Sequence, residues 1–447
     1  MKPTTMNSNK ILFWSITVAL AGFLFGFDTV VISGAEQQLQ SLWNTSNEFH
    51  GFIMSTALWG TVIGALFGSI PTNRLGRKQT LIWIGILYFI SAIGSALVSD
   101  PYTFGVFRFI GGLGVGASTI AAPAYISEIA PPEKRGRLVA LYQFNIVFGI
   151  LIAFISNSML RGFGEEAWRW MVGVEAIPAL LYTLLVMRVP QSPRWLATIK
   201  KDLAKAKAVL QQVNPNTSDQ MLLSVQEDIP STETDISGNL FNKRYRSLTM
   251  LAFLIAFFNQ LSGINAILYY SPRIFAEAGL GESTAFISSI GLGLINLVAT
   301  LLGLYLIDRI GRKTLMYIGS VGYIISLAMV AAAFFLGWQG LAVPIFLFIF
   351  IASHAIGQGA VIWVFISEIF PNQLRAQGQS LGSSTHWVLA ALITVFMPPL
   401  LSNDSLNPGV VFVFFAFMMI LQLIWVAISM PETKGVSLEE LQEKLLQ

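Results

Sequence analysis

The chain has 447 residues, of which 54% are hydrophobic and only 11% charged. Soluble globular domains carry about 25% charged residues, so an ordinary soluble protein is excluded. With a net charge of +3 and no cysteine, disulfides and cysteine-ligated metal are excluded too, and His50, His354 and His386 stand too far apart in sequence to suggest a metal site.

A spanning helix needs about 20 apolar residues. Twelve runs qualify: 11–33, 51–71, 79–99, 103–127, 138–160, 168–188, 248–271, 284–307, 314–336, 341–367, 377–400 and 409–430. The first lacks a small-residue cleavage site and leads into a multi-span pattern, so it reads as a retained span and not a signal peptide. It carries Asp28, roughly 24 Å along its length at the helical rise. Between the second and third runs lies Asn73-Arg74-Leu75-Gly76-Arg77-Lys78. The fourth run carries Arg108, about 10 Å from its own start. Both charges therefore fall in the same half of a core about 30 Å thick, an acid and a base at similar depth that invite pairing.

The fourth run also contains Gly111-Gly112-Leu113-Gly114-Val115-Gly116. No strand precedes it and no ribose partner is suitably placed, so a nucleotide loop is rejected. Small residues inside a span let helices approach closely. Tyr125-Ile126-Ser127-Glu128-Ile129-Ala130-Pro131 ends this run, with Arg135 just beyond.

Residues 189–247 form the one long polar stretch. They open with Pro190-Gln191-Ser192-Pro193-Arg194-Trp195-Leu196, continue as a helical run rich in Lys, Ala and Leu to about Val213, and end in a Ser/Thr/Asp-rich segment. The stretch predicts short helices, with part of 214–240 mobile. Beyond it the earlier motifs return. Asp308-Arg309-Ile310-Gly311-Arg312-Lys313 repeats the first basic loop about 235 residues later, and Phe365-Ile366-Ser367-Glu368-Ile369-Phe370-Pro371, with Arg375, repeats the second motif in nearly the same register. Two copies of one unit imply four segments: a six-helix bundle over 1–188, a helical linker over 189–247, a second six-helix bundle over 248–430, and a tail over 431–447 that begins Pro431-Glu432-Thr433-Lys434-Gly435. The expected fold is all-α, with twelve transmembrane helices.

Charge placement orients the chain. With both termini inside, only Arg161, Arg169 and Arg273 lie on outer loops and Arg108 lies within a span, while every other Lys and Arg falls inside. The same asymmetry argues against nucleic acid as a partner. Duplicated halves in a helical membrane protein suggest a carrier with its site between them.

These motifs resemble the sugar porters of the major facilitator superfamily. The resemblance covers nearly the whole chain. It rests on Gly26-Phe27-Asp28 with Val31-Ile32-Ser33-Gly34-Ala35, both Arg-x-Gly-Arg-Lys loops, and Pro123-Ala124-Tyr125 through Arg135-Gly136. Pro190 to Leu196, Gln260-Leu261-Ser262-Gly263-Ile264-Asn265 with Tyr269-Tyr270, and Pro431 to Gly435 complete it. It implies two six-helix bundles, a central hexose-type site and alternating access. Five positions depart from the pattern: Asn73, Gln191, Asn259, His354 and His386. The first two bear on ionic contacts at the cytosolic face, the last three on sugar identity.

The resemblance makes Asp28 the proton-coupling acid, with Arg108 as its partner, since an acid whose arginine neighbour moves exchanges a proton as the distance changes. The competing reading is a fixed structural ion pair. Sugars need amides, hydroxyls and an aromatic face in a mostly apolar pocket. Gln143, Gln260, Asn265, Asn296 and Trp363 fit that need, with Asn259, His386 and Trp387 behind them. A regular helix would point Gln260 and Asn265 about 140° apart; a break at Gly263 would let both face one cavity. The competing reading is interhelical hydrogen bonding. Tyr269 and Tyr270 are expected at an outer gate. An inner ionic set of Glu128, Arg135, Glu368 and Arg375 with Arg74, Arg77, Arg309 and Arg312 is expected to hold the two bundles together at the cytosolic face when the carrier opens outward, or else to serve orientation and solubility alone.

The sequence therefore predicts a proton-coupled monosaccharide importer of the cytoplasmic membrane, working as a monomer without cofactor. A facilitative carrier, a polyol symporter and a sugar sensor are the alternatives. An enzyme is disfavoured, because no nucleophile–base pair, metal spacing or phosphate loop stands out.

Overall fold

The structure, a computed structural model, describes residues 8–131, 134–213, 240, 242–371, 374–402, 405–436 and 440. All regular structure among them is helical. Twelve helices are long and apolar enough to cross a membrane: Asn9–Trp43, Asn47–Phe67, Arg77–Leu97, Pro101–Ile129, Arg135–Leu160, Ala167–Met187, Lys243–Tyr269, Glu282–Ile310, Arg312–Leu336, Ala342–Ile369, Arg375–Leu401 and Gly409–Ile428. They are spans 1 to 12 below, and each overlaps one predicted apolar run. Between spans 6 and 7 lie the short helices Pro193–Thr198 and Leu203–Val213. The expected mobile part of 214–240 and most of the tail lie outside the described residues.

Local chemistry sets the boundaries. Ser46 caps span 2 by accepting a hydrogen bond from the Phe49 amide. Asp100 caps span 4 through the Thr103 amide, with Pro101 in the first turn where its missing N–H costs nothing. Span 1 departs from the prediction: it continues as helix well past residue 33, where its apolar stretch ends. The extension carries Glu36, Gln38 and Gln40, polar side chains that find partners on other helices, so the helix persists without an apolar stripe.

Two spans break at glycine. Gly263 takes φ 86°, a left-handed conformation open to glycine at little cost, and a side chain there would run into the Phe415 ring. Span 7 is therefore two pieces, Arg246–Leu261 and Ile264–Tyr269. Span 10 breaks at Gly357, where it crosses Gly319 of span 9 almost backbone to backbone.

Within the first half, span 1 packs along span 5 and span 4 along span 2. The glycine run supplies that second contact: a Cβ on Gly112 would sit 1.9 Å from the Ala57 carbonyl oxygen. Between the halves, span 2 packs along span 11 and span 5 along span 8, the pairing a twofold repeat produces. At one end of the bundle lie the repeated basic motifs; this is the basic end. The opposite end is the far end.

Candidate functional site

Three clusters of polar side chains stand out, one in the first half, one in the second and one joining the two.

The first is built on Asp28. Arg108 Nη1 donates to Asp28 Oδ1 at 2.5 Å, and Arg108 Nη2 donates to the Asp28 carbonyl at 3.0 Å. The predicted pairing of spans 1 and 4 is therefore present, with both side chains almost wholly buried. Gly111 makes room, since a Cβ there would press on the Ser91 hydroxyl and approach the Asp28 carboxylate. Sequence reasoning missed the third member. Glu175, in span 6, is 1% exposed, its Oε1 makes no hydrogen bond among the described residues, and it lies within electrostatic reach of both Asp28 and Arg108. An acid within an apolar run was the signal that could have found it. Two carboxylates and one guanidinium leave one negative charge uncompensated when all are ionised; one proton removes it. Tyr269, from the second half, is buried within electrostatic reach of both Arg108 and Asp28.

The second cluster gathers around the break in span 7. As the break predicts, Gln260 and Asn265 meet: Asn265 Nδ2 donates to Gln260 Oε1 at 3.0 Å. Gln260 Nε2 donates to Asn259 Oδ1 at 2.9 Å and faces the His386 ring nitrogens at 3.1 Å. The His386 ring lies 5.4 Å from Trp363 and 4.7 Å from Trp387, centroid to centroid, and Trp387 meets Phe25 of the first half at 5.6 Å. Six predicted residues thus stand together: Asn259, Gln260, Asn265, Trp363, His386 and Trp387. Asn296 is buried on span 8 and Gln143 half-buried on span 5, with no bond to this cluster among the described residues. His354 instead holds the Tyr323 hydroxyl at 2.6 Å.

The third cluster, which the sequence did not disclose, closes the far end. Arg273, just beyond span 7, donates through Nε to Glu36 Oε1 at 3.0 Å and through Nη2 to Glu36 Oε2 at 2.6 Å. Gln40 Oε1 accepts from the same Nη2, Ser402 Oγ from Nη1 at 3.2 Å, and His50 Nε2 faces Glu36 Oε2 at 3.0 Å. Glu36 and His50 belong to the first half, Arg273 and Ser402 to the second. Arg273 stays charged: burial works against it, and the Glu36 carboxylate more than offsets that. Tyr270, predicted at this gate, donates to the Thr394 carbonyl of span 11 at 3.0 Å.

At the basic end the predicted ionic set forms two knots, each inside one half. Arg77 grips Glu128 through Nε and Nη2, and the Ser192 hydroxyl donates to the same carboxylate. In the repeat, Arg312 grips Glu368 and the Thr433 hydroxyl donates to it. Gln191 Oε1 accepts from the Lys78 amide at 2.9 Å; Glu432 accepts from the Arg312 and Lys313 amides at 2.9 and 3.0 Å. So Gln191 keeps the contact its charged counterpart makes, and Asn73 likewise accepts from Arg77 Nη1 at 3.2 Å. In this structure each glutamate meets the arginine of its own half, so neither pair bridges the bundles; the expectation concerned the form that opens outward. Arg74, Arg135, Arg309 and Arg375 form no ion pair among the described residues; Arg309 stacks on Tyr305, and Arg375 lines a cavity of about 560 Å³ beside Arg312, Glu368 and Lys434. No group of acids and histidines suited to a metal ion occurs among the described residues.

Residues 14–445 match the family of sugar (and other) transporters. The arabinose–proton symporter of Bacillus subtilis is 33% identical over 441 residues, 97% of this chain and 94% of that protein. The inward-open structure of the xylose transporter from E. coli superposes with a TM-score of 0.86 at 30% identity, over 97% of this chain and 100% of that one. A proton:xylose symporter structure bound to 6-bromo-6-deoxy-D-glucose gives 0.79 at 31% identity, over 98% and 100%.

Proposed function

The chain belongs to the family of sugar transporters with the major facilitator fold, and on that premise we propose that it imports a hexose or pentose together with a proton by alternating access. The observation that carries this reading is the buried triad of Asp28, Glu175 and Arg108, which holds one more acid than base. Such a site takes up one proton to reach neutrality, and Tyr269 of the second half lies within its electrostatic reach. Movement of that half changes the surroundings of the triad and hence its hold on the proton. The relative named for arabinose–proton symport supports coupling.

Gln260, Asn265, Trp363, His386, Asn259 and Trp387 form the sugar platform, with Gln143 and Asn296 joining from facing spans when the halves close on the cargo. Asn259 and His386 give this platform its own polar pattern. The basic end faces the cytosol with both termini, in accord with the excess of Lys and Arg there. The protein works as a monomer in the cytoplasmic membrane, with bundles over 1–188 and 248–430 joined by a cytosolic linker over 189–247 and followed by a cytosolic tail over 431–447. The Glu36–Arg273 contact and the higher score against the inward-open neighbour support an inward-facing state, open at the basic end.

The test is uptake of labelled D-xylose, L-arabinose or D-glucose into proteoliposomes, with an inside-alkaline gradient and, separately, as counterflow without one. Wild type accumulates at least one sugar under the gradient. Asp28→Asn keeps counterflow and loses accumulation. If wild type shows counterflow but ignores the gradient, the protein is a facilitative carrier.

A further inference from the structure

The sugar platform does not end at Asn259. Asn259 Nδ2 donates to Gln358 Oε1 at 3.2 Å, Gln358 Nε2 donates to Gln422 Oε1 at 2.7 Å, and Gln422 Nε2 donates to Ser320 Oγ at 2.8 Å. With the Asn265–Gln260 and Gln260–Asn259 bonds, this is an unbroken file of five amides and one hydroxyl. It runs through spans 7, 10, 12 and 9. Gln358, Gln422 and Ser320 are fully buried, far from solvent and from one another in sequence. Gln358 opens the second piece of span 10, immediately after the Gly357 break.

Two features separate this file from ordinary interhelical bonding. It has a direction: every amide gives an N–H to the next oxygen, from Asn265 toward Ser320. An amide is an acceptor on one side and a donor on the other, so no member can turn over without leaving two like atoms face to face unless its neighbours turn too. And the file ends on recognition groups. Gln260 is fully engaged, accepting from Asn265 and donating to Asn259 and His386. Asn265 Oδ1 accepts nothing from the protein among the described residues, which leaves it as the acceptor at the open end.

We propose that Gln358 and Gln422 are positioning residues for sugar recognition: through Asn259 they fix which way the Gln260 and Asn265 amides face, and so decide which sugar hydroxyls find a donor and which an acceptor. This rests on the reading of Gln260 and Asn265 as sugar contacts. Removing the anchor frees Asn259 to rotate, and the platform then presents a mixture of patterns instead of one. A file that merely held helices together would do no such thing. In that case replacing Gln358 and Gln422 together by apolar residues would cost stability, because the buried Asn259 amide and Ser320 hydroxyl lose their partners, but would leave discrimination between sugars as in wild type.

The experiment uses purified full-length protein and the single-change variant Gln422→Met, which keeps side-chain length and volume. Binding of D-xylose, L-arabinose and D-glucose is measured first, then of the singly deoxygenated analogues of whichever binds. We expect Gln422→Met to bind the parent sugar three- to tenfold more weakly, and the analogue lacking the hydroxyl that meets Gln260 and Asn265 about as wild type does. Discrimination between the two then falls by the same factor. The gradient-driven accumulation ratio at saturating sugar stays as in wild type. The double variant Gln358→Met with Gln422→Met shows the same loss of discrimination. An equal change for parent and all analogues, or wild-type discrimination in the double variant, overturns the positioning role. If Gln422→Met fails to insert, Ser320→Ala removes a single oxygen and carries the same expectation at about twofold. If wild type binds none of the three sugars, the sugar-site reading fails and this role with it; if it binds them and discrimination is untouched, only the file is at fault.

Discussion

The far end and the basic end both gather arginines and glutamates, and they bond them in opposite senses. At the far end Arg273 of one half grips Glu36 of the other, with both side chains at most 4% exposed. At the basic end Arg77 meets Glu128 and Arg312 meets Glu368, each within its own half and with more of each side chain open to solvent. The far-end pair ties the halves to each other; the basic-end pairs tie each half to itself. The difference matters for a carrier that must open at either end. The far end opens only by separating two buried charges, whereas the basic end can close without losing any bond it now makes.

The largest effect should come from breaking the far-end pair. Removing one partner of a buried ion pair costs about 3–5 kcal/mol, because the other charge stays buried alone. Glu36→Gln should therefore shift the population toward forms open at the far end. The protein has no cysteine, so a single Thr394→Cys serves as a reporter beneath the Tyr270 contact. A membrane-impermeant maleimide should label it at least about tenfold faster in the Glu36→Gln background, tenfold corresponding to about 1.4 kcal/mol. Unchanged labelling of folded protein would remove the pair from any role in closure.

A smaller effect is expected at the other end. Glu128→Gln with Glu368→Gln should lower thermal stability by a few degrees, since partly exposed pairs contribute roughly 0–1 kcal/mol each. It should leave the Thr394→Cys reporter as slow as before. Faster labelling would mean that the knots communicate with the far end and that the two ends do not act separately.

The smallest effect separates the two knots from each other. Burial opposes ionisation of Glu432, yet hydrogen bonds from the Lys434, Arg312, Lys313 and Thr433 amides hold its carboxyl below the usual glutamate range. A depressed carboxyl stabilises above its unfolded value and loses that contribution as pH falls through the folded one. Below about pH 4 the Arg312 and Lys313 amides should therefore exchange hydrogen faster. The Lys78 amide, held by the neutral Gln191, should not respond through this link. Equal acceleration at both would indicate general loosening.

Much of this molecule was legible in its sequence, for physical reasons that also mark where legibility stopped. The twelve spans follow from apolar runs, because lipid imposes one rule on every residue in a span. The break at Gly263 followed from a glycine set between two amides that a regular helix would hold apart. Pairing of Asp28 with Arg108 followed from depth alone. Glu175 was visible as an acid among Val174, Ala176 and Ile177, but span 6 offered no repeat partner to draw attention to it. Glu36 lies past the apolar run that ends at residue 33, and its burial depends on Arg273, more than two hundred residues away, and not on its neighbours. Gln358 and Gln422 could be seen as intramembrane amides; that they meet depends on how spans 10 and 12 cross. Repetition marked Glu128 and Glu368 as equivalents, yet symmetry is satisfied equally by bonds within halves and between them.

The two knots also bear on how the chain is made. Ser192, with Gln191 beside it, follows span 6 directly, and Thr433 with Glu432 follows span 12 in the same way. In each half the residues that fasten the basic loop are thus among the next to leave the ribosome once that half's six helices have emerged. The first half can be fastened before span 7 is synthesised, so that the second half folds beside a finished neighbour. Once residues through Ser192 have cleared the ribosome the first bundle can hold its own clasp, whereas the second bundle, with all six of its helices emerged, stays unfastened until Thr433 follows.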